Sequence, residues 1–125
     1  MATDDLRGRA DDLLQALAAS DLDRVRALCA PGLRMYGTDP GERWDDLASL
    51  CGALEGMREL GLRAYWREPP ATGPNWVAGV AIYRSASGPE VLTRVTFVFE
   101  DGLAVHGHFS LEGEMPVSAS EPAPS

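Results

Sequence analysis

The sequence predicts an α+β domain, and three observations carry that expectation. Apolar residues recur with helical period through the first half of the chain, the second half consists of strand-like runs, and turn residues punctuate those runs at short intervals. Helices first and antiparallel strands later is the order in which helices cover one face of a curved, mainly antiparallel sheet. A length of 125 residues suits one domain with one core.

Each element has its own signal. Thr3 is a plausible N-cap, Asp4 and Asp5 suit the positive end of a helix dipole, and Leu6, Ala10, Leu13, Leu14 and Leu17 share one face. Ser20-Asp21-Leu22-Asp23 reads as a fresh cap for a shorter helix carrying Leu22, Val25, Leu28 and Cys29, which Pro31-Gly32 should stop. Leu33 to Gly37 is a short strand, Asp39-Pro40-Gly41 a turn, and Trp44 leads into a third helix with Leu47, Leu50, Cys51 and Leu54 on one face, ending near Gly61. Leu62 to Glu68, Asn75 to Arg84, Val91 to Glu100 and Leu103 to Leu111 are the later strands. The domain is expected to span residues 1–111; residues 112–125, rich in Glu, Ser, Ala and Pro, have little to bury and are expected to form a disordered tail.

Composition removes several classes of function. Eleven basic against nineteen acidic residues give a net charge of −8, which repels phosphate backbones and anionic membrane surfaces, so neither nucleic acid nor membrane is an expected partner. No apolar run approaches a membrane span, and the acidic start lacks a basic-then-apolar leader. Cys29 and Cys51 lie at helical spacings among leucines, as small buried hydrophobes of a reducing compartment do. A cytoplasmic protein is expected.

Candidate chemistry concentrates in the last two strands, which meet at Glu100-Asp101-Gly102. A two-residue loop of Asp101-Gly102 pairs Phe99 with Ala104 and turns Arg94 away from His106, His108 and Ser110. A three-residue loop pairs Phe99 with Leu103, setting Arg94 opposite His108 and Thr96 opposite His106. The second is preferred, because it gathers Val95, Phe97, Phe99, Val105 and Phe109 on one apolar face. Arg94, Thr96, His106, His108 and Ser110 then form a polar patch suited to a carboxylate, phosphate or enolate-like oxygen, unless Arg94 serves an internal acid such as Asp39 or Glu42. Histidine adds a proton carrier near neutral pH. No further Cys, His or Asp stands at a spacing that completes a metal site around the two histidines, and no cofactor is implied. Tyr36, Trp44, Trp66 and Trp76 either line a pocket for a flat apolar ligand or belong to the core. Asp39 and Glu42 either form an acid/base pair or cap the third helix and its turn.

Several strings resemble the SnoaL-like, ketosteroid-isomerase-like proteins of the nuclear transport factor 2-like superfamily over Leu6 to Leu111. Ser20-Asp21-Leu22-Asp23 with Ala27-Leu28 is similar to the family's second-helix opening, Gly37 to Glu42 and Trp44 to its first-strand exit, and His108-Phe109-Ser110 to the end of its last strand. The resemblance implies a conical α+β barrel, a pocket between the long helix and the concave sheet face, and a homodimer formed through the outer sheet face. Tyr65, Tyr83 and the Val95 side are expected to supply that outer apolar surface. Asp39-Pro40 looks like the isomerases' general-base pair, although counting forward from Asp21-Leu22-Asp23 puts that base nearer Gly37. The isomerases' oxyanion tyrosine has no counterpart in Thr3 to Ala19, nor their partner aspartate in Val91 to Phe99. Function does not follow from such a fold alone. The implied function is binding of a small organic molecule, either with cofactor-free proton transfer as in an isomerase, cyclase or hydrolase, or as a non-catalytic binding or dimerisation module. In the catalytic version His108 or Asp39 is the base and Arg94 stabilises the oxyanion.

Overall fold

Thr3–Ala19 forms helix α1, with the leucine face read from the sequence turned to the core. The computed structural model describes residues 3–38, 41–85 and 88–111, so Asp39, Pro40 and the expected tail lie outside the described residues. Ser20 closes α1 in the left-handed region at φ 55°, where the Asp21 N–H reaches the Ala16 carbonyl at 2.9 Å. Asp21, rather than Ser20, then caps α2 (Leu22–Leu28) by accepting from the Arg24 N–H. This helix stops at Leu28, before Pro31, because β1 (Cys29–Tyr36) already begins at Cys29 and runs through Pro31-Gly32.

Trp44 belongs to a two-residue strand, β2 (Arg43–Trp44), which folds back on Met35 and Tyr36; α3 (Leu47–Glu55) follows. Asp46 caps α3, its carboxylate accepting from the Ser49 N–H at 2.8 Å, so the cap of the third helix, weighed for Asp39 and Glu42, falls to another residue. That backbone bond, helped by the Ser49 side chain, holds the Asp46 carboxyl below its ordinary range. The helix stops at Glu55, earlier than the expected end near Gly61; Gly61, with φ of 61°, instead closes a separate short 3₁₀ turn (Arg58–Leu60).

The remaining strands are β3 (Arg63–Trp66), β4 (Ala71–Thr72), β5 (Trp76–Arg84), β6 (Val91–Glu100) and β7 (Leu103–Leu111). They complete a seven-stranded curved sheet in the order β2-β1-β7-β6-β5-β3, with the short β4 also on β5. One pairing is parallel: β1 lies beside β7, with Arg34, Met35 and Tyr36 level with His106, Gly107 and His108. That contact between distant segments is invisible to local periodicity.

The β6–β7 hairpin corrects the expected register. Its turn is the two-residue Asp101-Gly102 loop, with φ of 53° and 81°, and Phe99 faces Ala104. Both central residues have positive φ, the condition that selects Asp-Gly for such hairpins. A bulge at Val105 then inserts one extra residue, so that Val98 pairs with His106, Thr96 with His108 and Arg94 with Ser110. Arg94, Thr96 and the histidines do share a face, but each partner is displaced two positions from the expected one. The bulge returns Gly107 and Phe109 to the face of Val95 and Phe97, which satisfies the same apolar-face requirement by another route.

That face is the core. Phe97 is fully buried, with Phe109 and Phe99 edge-on at 5.8 and 6.4 Å between ring centroids, and Leu13, Leu14, Leu33, Met35 and Val95 are buried in the same cluster. Gly107 is small because Met35 occupies the space where its Cβ would stand. Truncating the ring by Phe97→Ala is expected to cost roughly 3–5 kcal/mol, read as a lower urea midpoint at unchanged slope. A loss below about 1 kcal/mol would place the structural centre elsewhere.

Candidate ligand cavity

A cavity of about 370 Å³ lies between the concave sheet face, the C-terminal end of α1 and α3, a size suited to a small organic molecule. Its wall is mostly apolar: Leu17 and Ala18 from α1, Met35 from β1, Leu50, Ala53 and Leu54 from α3, and Val91, Phe109 and Leu111 from the sheet, with Met57 and Leu62 between. Polar groups on the wall are few: Thr38, Glu42, Trp44, Tyr83 and Thr93.

Glu42 is the carboxylate on this wall among the described residues. The segment between β1 and β2 positions it: the Gly37 N–H donates to the Glu42 carbonyl at 2.6 Å, and the Thr38 hydroxyl donates to Glu42 Oε1 at 3.3 Å. Its side chain fills the space where a Gly37 Cβ would stand, so glycine at that position lets the carboxylate lie against the strand exit. Trp44, carried by β2, also lines the cavity.

Tyr83 contributes from β5, opposite Val91 of β6 and Ala64 of β3. The strand's inward residues before it are Val77, Gly79 and Ala81, and the larger ring forms wall beside the end of α1. Its ring meets Phe109 edge-on at 6.4 Å, and burial pushes its phenol well above the usual tyrosine range.

The other candidates drawn from the sequence lie elsewhere. Arg94, Thr96, His106, His108 and Ser110 form one stripe, but on the outer sheet face, opposite the side of Val95, Phe97 and Phe109. Tyr36 joins them there, 5.4 Å from the His106 ring and 6.1 Å from that of His108. The reason is solvation: the inner face packs against helices, and a stripe of arginine and histidines there would lose water without compensating partners. Trp76 stands exposed on the outer side of β5. Trp66 points inward but lines a separate cleft with Arg7 and Asp11 of α1. Of the candidate site residues, the cavity therefore gathers Glu42 and Trp44; it adds Thr38 and Thr93, and Tyr83, which was expected on the outer sheet face. Tyr83 was detectable in principle, since it alternates with Val77 and Ala81 on one strand face. Which end of that face the helices leave uncovered is not local information.

Among the described residues no cluster of three His, Cys, Asp or Glu is arranged to hold a metal ion, and no helix is long and apolar enough to cross a membrane. Cys29 and Cys51 are both buried and free; burial first, and the nearby Cys51 second, push the Cys29 thiol up to about 12.

No protein-family model and no curated protein matches the sequence. Solved structures do. A candidate ketosteroid isomerase from Kribbella flavida superposes with a TM-score of 0.77 at 15% identity, covering 98% of this chain and 85% of that one. A candidate isomerase of the SnoaL-like family from Agrobacterium tumefaciens gives 0.74 at 15% identity, covering 88% and 99%. An LEH-like epoxide hydrolase from M. tuberculosis gives 0.73 at 16%, covering 88% and 80%. This chain has the nuclear transport factor 2-like fold. The likeness is one of architecture, and the different activities named among these structures show that the fold does not select a reaction.

His106 provides a check on the outer stripe. Desolvation first and the neighbouring His108 second lower its pKa below the ordinary 6.5. Its folded state therefore binds a proton less readily than the unfolded chain, so stability present above pH 6.5 should fall as the pH drops through the folded value. NMR titration should give a His106 midpoint below 6.5, and His106→Gln should lose less thermal stability than wild type between pH 7 and pH 5. A midpoint at or above 6.5 would contradict this placement.

Proposed function

We propose that this protein binds a small, largely apolar organic molecule in the cavity between α1, α3 and the sheet, and that Glu42 moves a proton on it. The observation that carries this is a single carboxylate among the described wall residues of an otherwise mostly apolar cavity of about 370 Å³. A carboxylate takes and returns a proton near neutral pH, and an apolar wall excludes competing water. Such chemistry needs no cofactor and fits an isomerase, cyclase or hydrolase step. Isomerase and epoxide hydrolase descriptions among structures of the same fold support the class without choosing within it. Asp39, near Glu42 in sequence, stays a second candidate base; Arg94 and His108, on the outer face, are not assigned to this cavity.

The test is exchange of the α-deuterons of 1-tetralone, an enolisable two-ring ketone, followed by NMR. Wild type should accelerate exchange over buffer, and Glu42→Gln should lose about 10²-fold or more of that acceleration while still binding the ketone. Binding without acceleration in wild type would favour the non-catalytic ligand-binding alternative.

The outer sheet face supports a second element of the proposal, a homodimer. Tyr65, Val80, Ile82, Leu92 and Val98 share this face with exposed Trp76, and the Arg84 guanidinium lies 5.9 Å from the Tyr65 ring centre. An apolar surface of this kind is what a second copy would cover. Of the surface expected from sequence only Tyr65 lies here, since the Val95 side is core and Tyr83 lines the cavity. Light scattering at micromolar concentration should give a dimer mass for wild type and a monomer mass for Val80→Glu; a wild-type monomer would remove the dimer. The two buried free cysteines support residence in a reducing compartment, and a cytoplasmic location is proposed on that basis.

A further inference from the structure

The outer sheet face carries three ring side chains that the cavity does not use. His106 and His108 stand at alternate positions of β7, so both point outward with their Cα atoms about 6.6 Å apart. Local spacing offers these two imidazoles no third donor, but the parallel pairing of β1 with β7 brings one. Tyr36 is level with His108, and its ring centroid lies 5.4 Å from that of His106 and 6.1 Å from that of His108. Tyr36 and His106 are half-buried and His108 is exposed, so the group is held at its base and open to solvent at its top. Separations of this size are those of rings that share one ion: with metal–nitrogen and metal–oxygen bonds of roughly 2 Å, ring ligands at a square or tetrahedral angle place their centroids roughly 5–6 Å apart.

We propose that Tyr36, His106 and His108 form a binding site for a divalent transition-metal ion, copper(II) before the others, with two imidazole nitrogens and the phenol oxygen as ligands. The phenol loses its proton to solvent as the metal–oxygen bond forms, and the imidazoles bind in their neutral form. Imidazole nitrogens suit copper(II), which heads the affinity order of first-row divalent ions. The residues level with the histidines on β6, Val98 and Thr96, carry no charge. Arg34 is level with His106 and Arg94 with Ser110, but both are exposed, and a net charge of −8 on the chain favours the approach of a cation. A bound ion ties β1 to β7 across their parallel pairing, so it stabilises the folded chain by mass action. The apolar strip proposed for a second copy lies mostly on β5 and β3, whereas all three ligands come from β1 and β7 of one chain.

Titration of the full chain with copper(II) tests this, with free glycine present as a competitor that holds off weak surface binding. Wild type should take up one equivalent, with a phenolate-to-copper charge-transfer band in the visible and nitrogen hyperfine structure from two imidazoles in the electron paramagnetic resonance spectrum. His106→Gln and His108→Gln should each weaken binding at least about tenfold, the lower end of the loss found even for groups that only orient a ligand. Tyr36→Phe should keep the imidazole signal and lose the visible band. Equal melting temperatures of the metal-free proteins show that the exposed-face variants fold, and copper should raise the melting temperature of wild type but not of His108→Gln. Val80→Glu should bind copper as wild type does; loss of binding there would overturn a site built by one chain. A band and affinity unchanged in Tyr36→Phe would overturn the phenol as a ligand. Binding that survives both histidine substitutions, or that appears only without glycine, would overturn the site.

Discussion

The contact between the inner face of β6 and its surroundings, centred on Phe97, is the interaction on which the rest of the structure depends. Phe97 sits between Phe99 and Phe109 in a fully buried position, and Val95 continues the same face. Desolvating these rings stabilises only one orientation of the strand, and the alternation of a pleated sheet then sends Arg94, Thr96 and Val98 to the opposite side. Everything paired with β6 inherits the choice. Tyr83 faces inward because it is level with Val91, and the histidines face outward because they are level with Thr96 and Val98.

The bulge at Val105 makes that choice compatible with a tight turn. A two-residue hairpin continued without interruption would carry His106 and His108 to the core side and Phe109 to solvent. One inserted residue reverses the strand's facing beyond Ala104, putting Gly107 under Met35 and Phe109 beside Phe97. The price of the bulge is local loss of ladder pairing, small beside the burial of an aromatic ring.

Chemical character divides between the two faces. Inside, a cavity with little polar surface holds a carboxylate bonded to Thr38 and a phenol kept neutral by burial. Outside, two histidines, a tyrosine and arginines share a surface with an apolar strip from β5 and β3. Burial acts on titration on both sides, raising the Tyr83 phenol and lowering the His106 imidazole, in each case by disfavouring the charged form.

By itself the sequence determined what depends on local periodicity and backbone chemistry. The leucine face of α1 set the first helix, Asp101-Gly102 allowed the tight turn, and alternation in Val91 to Glu100 gave β6 two unlike faces. The shared face of Arg94 and the histidines was legible too, since an apolar side had to be completed by Phe109. The end of α2, the strand through Pro31-Gly32 and the site's location were not. They follow from β1 lying parallel to β7 and from where α1 and α3 leave the sheet uncovered, contacts between residues far apart in the chain. Tyr83 faces the cavity for that reason: a side chain's alternation is fixed by its own strand, but the side that becomes interior is fixed by whichever face the helices desolvate, while Glu42 reaches the same cavity from the segment between β1 and β2.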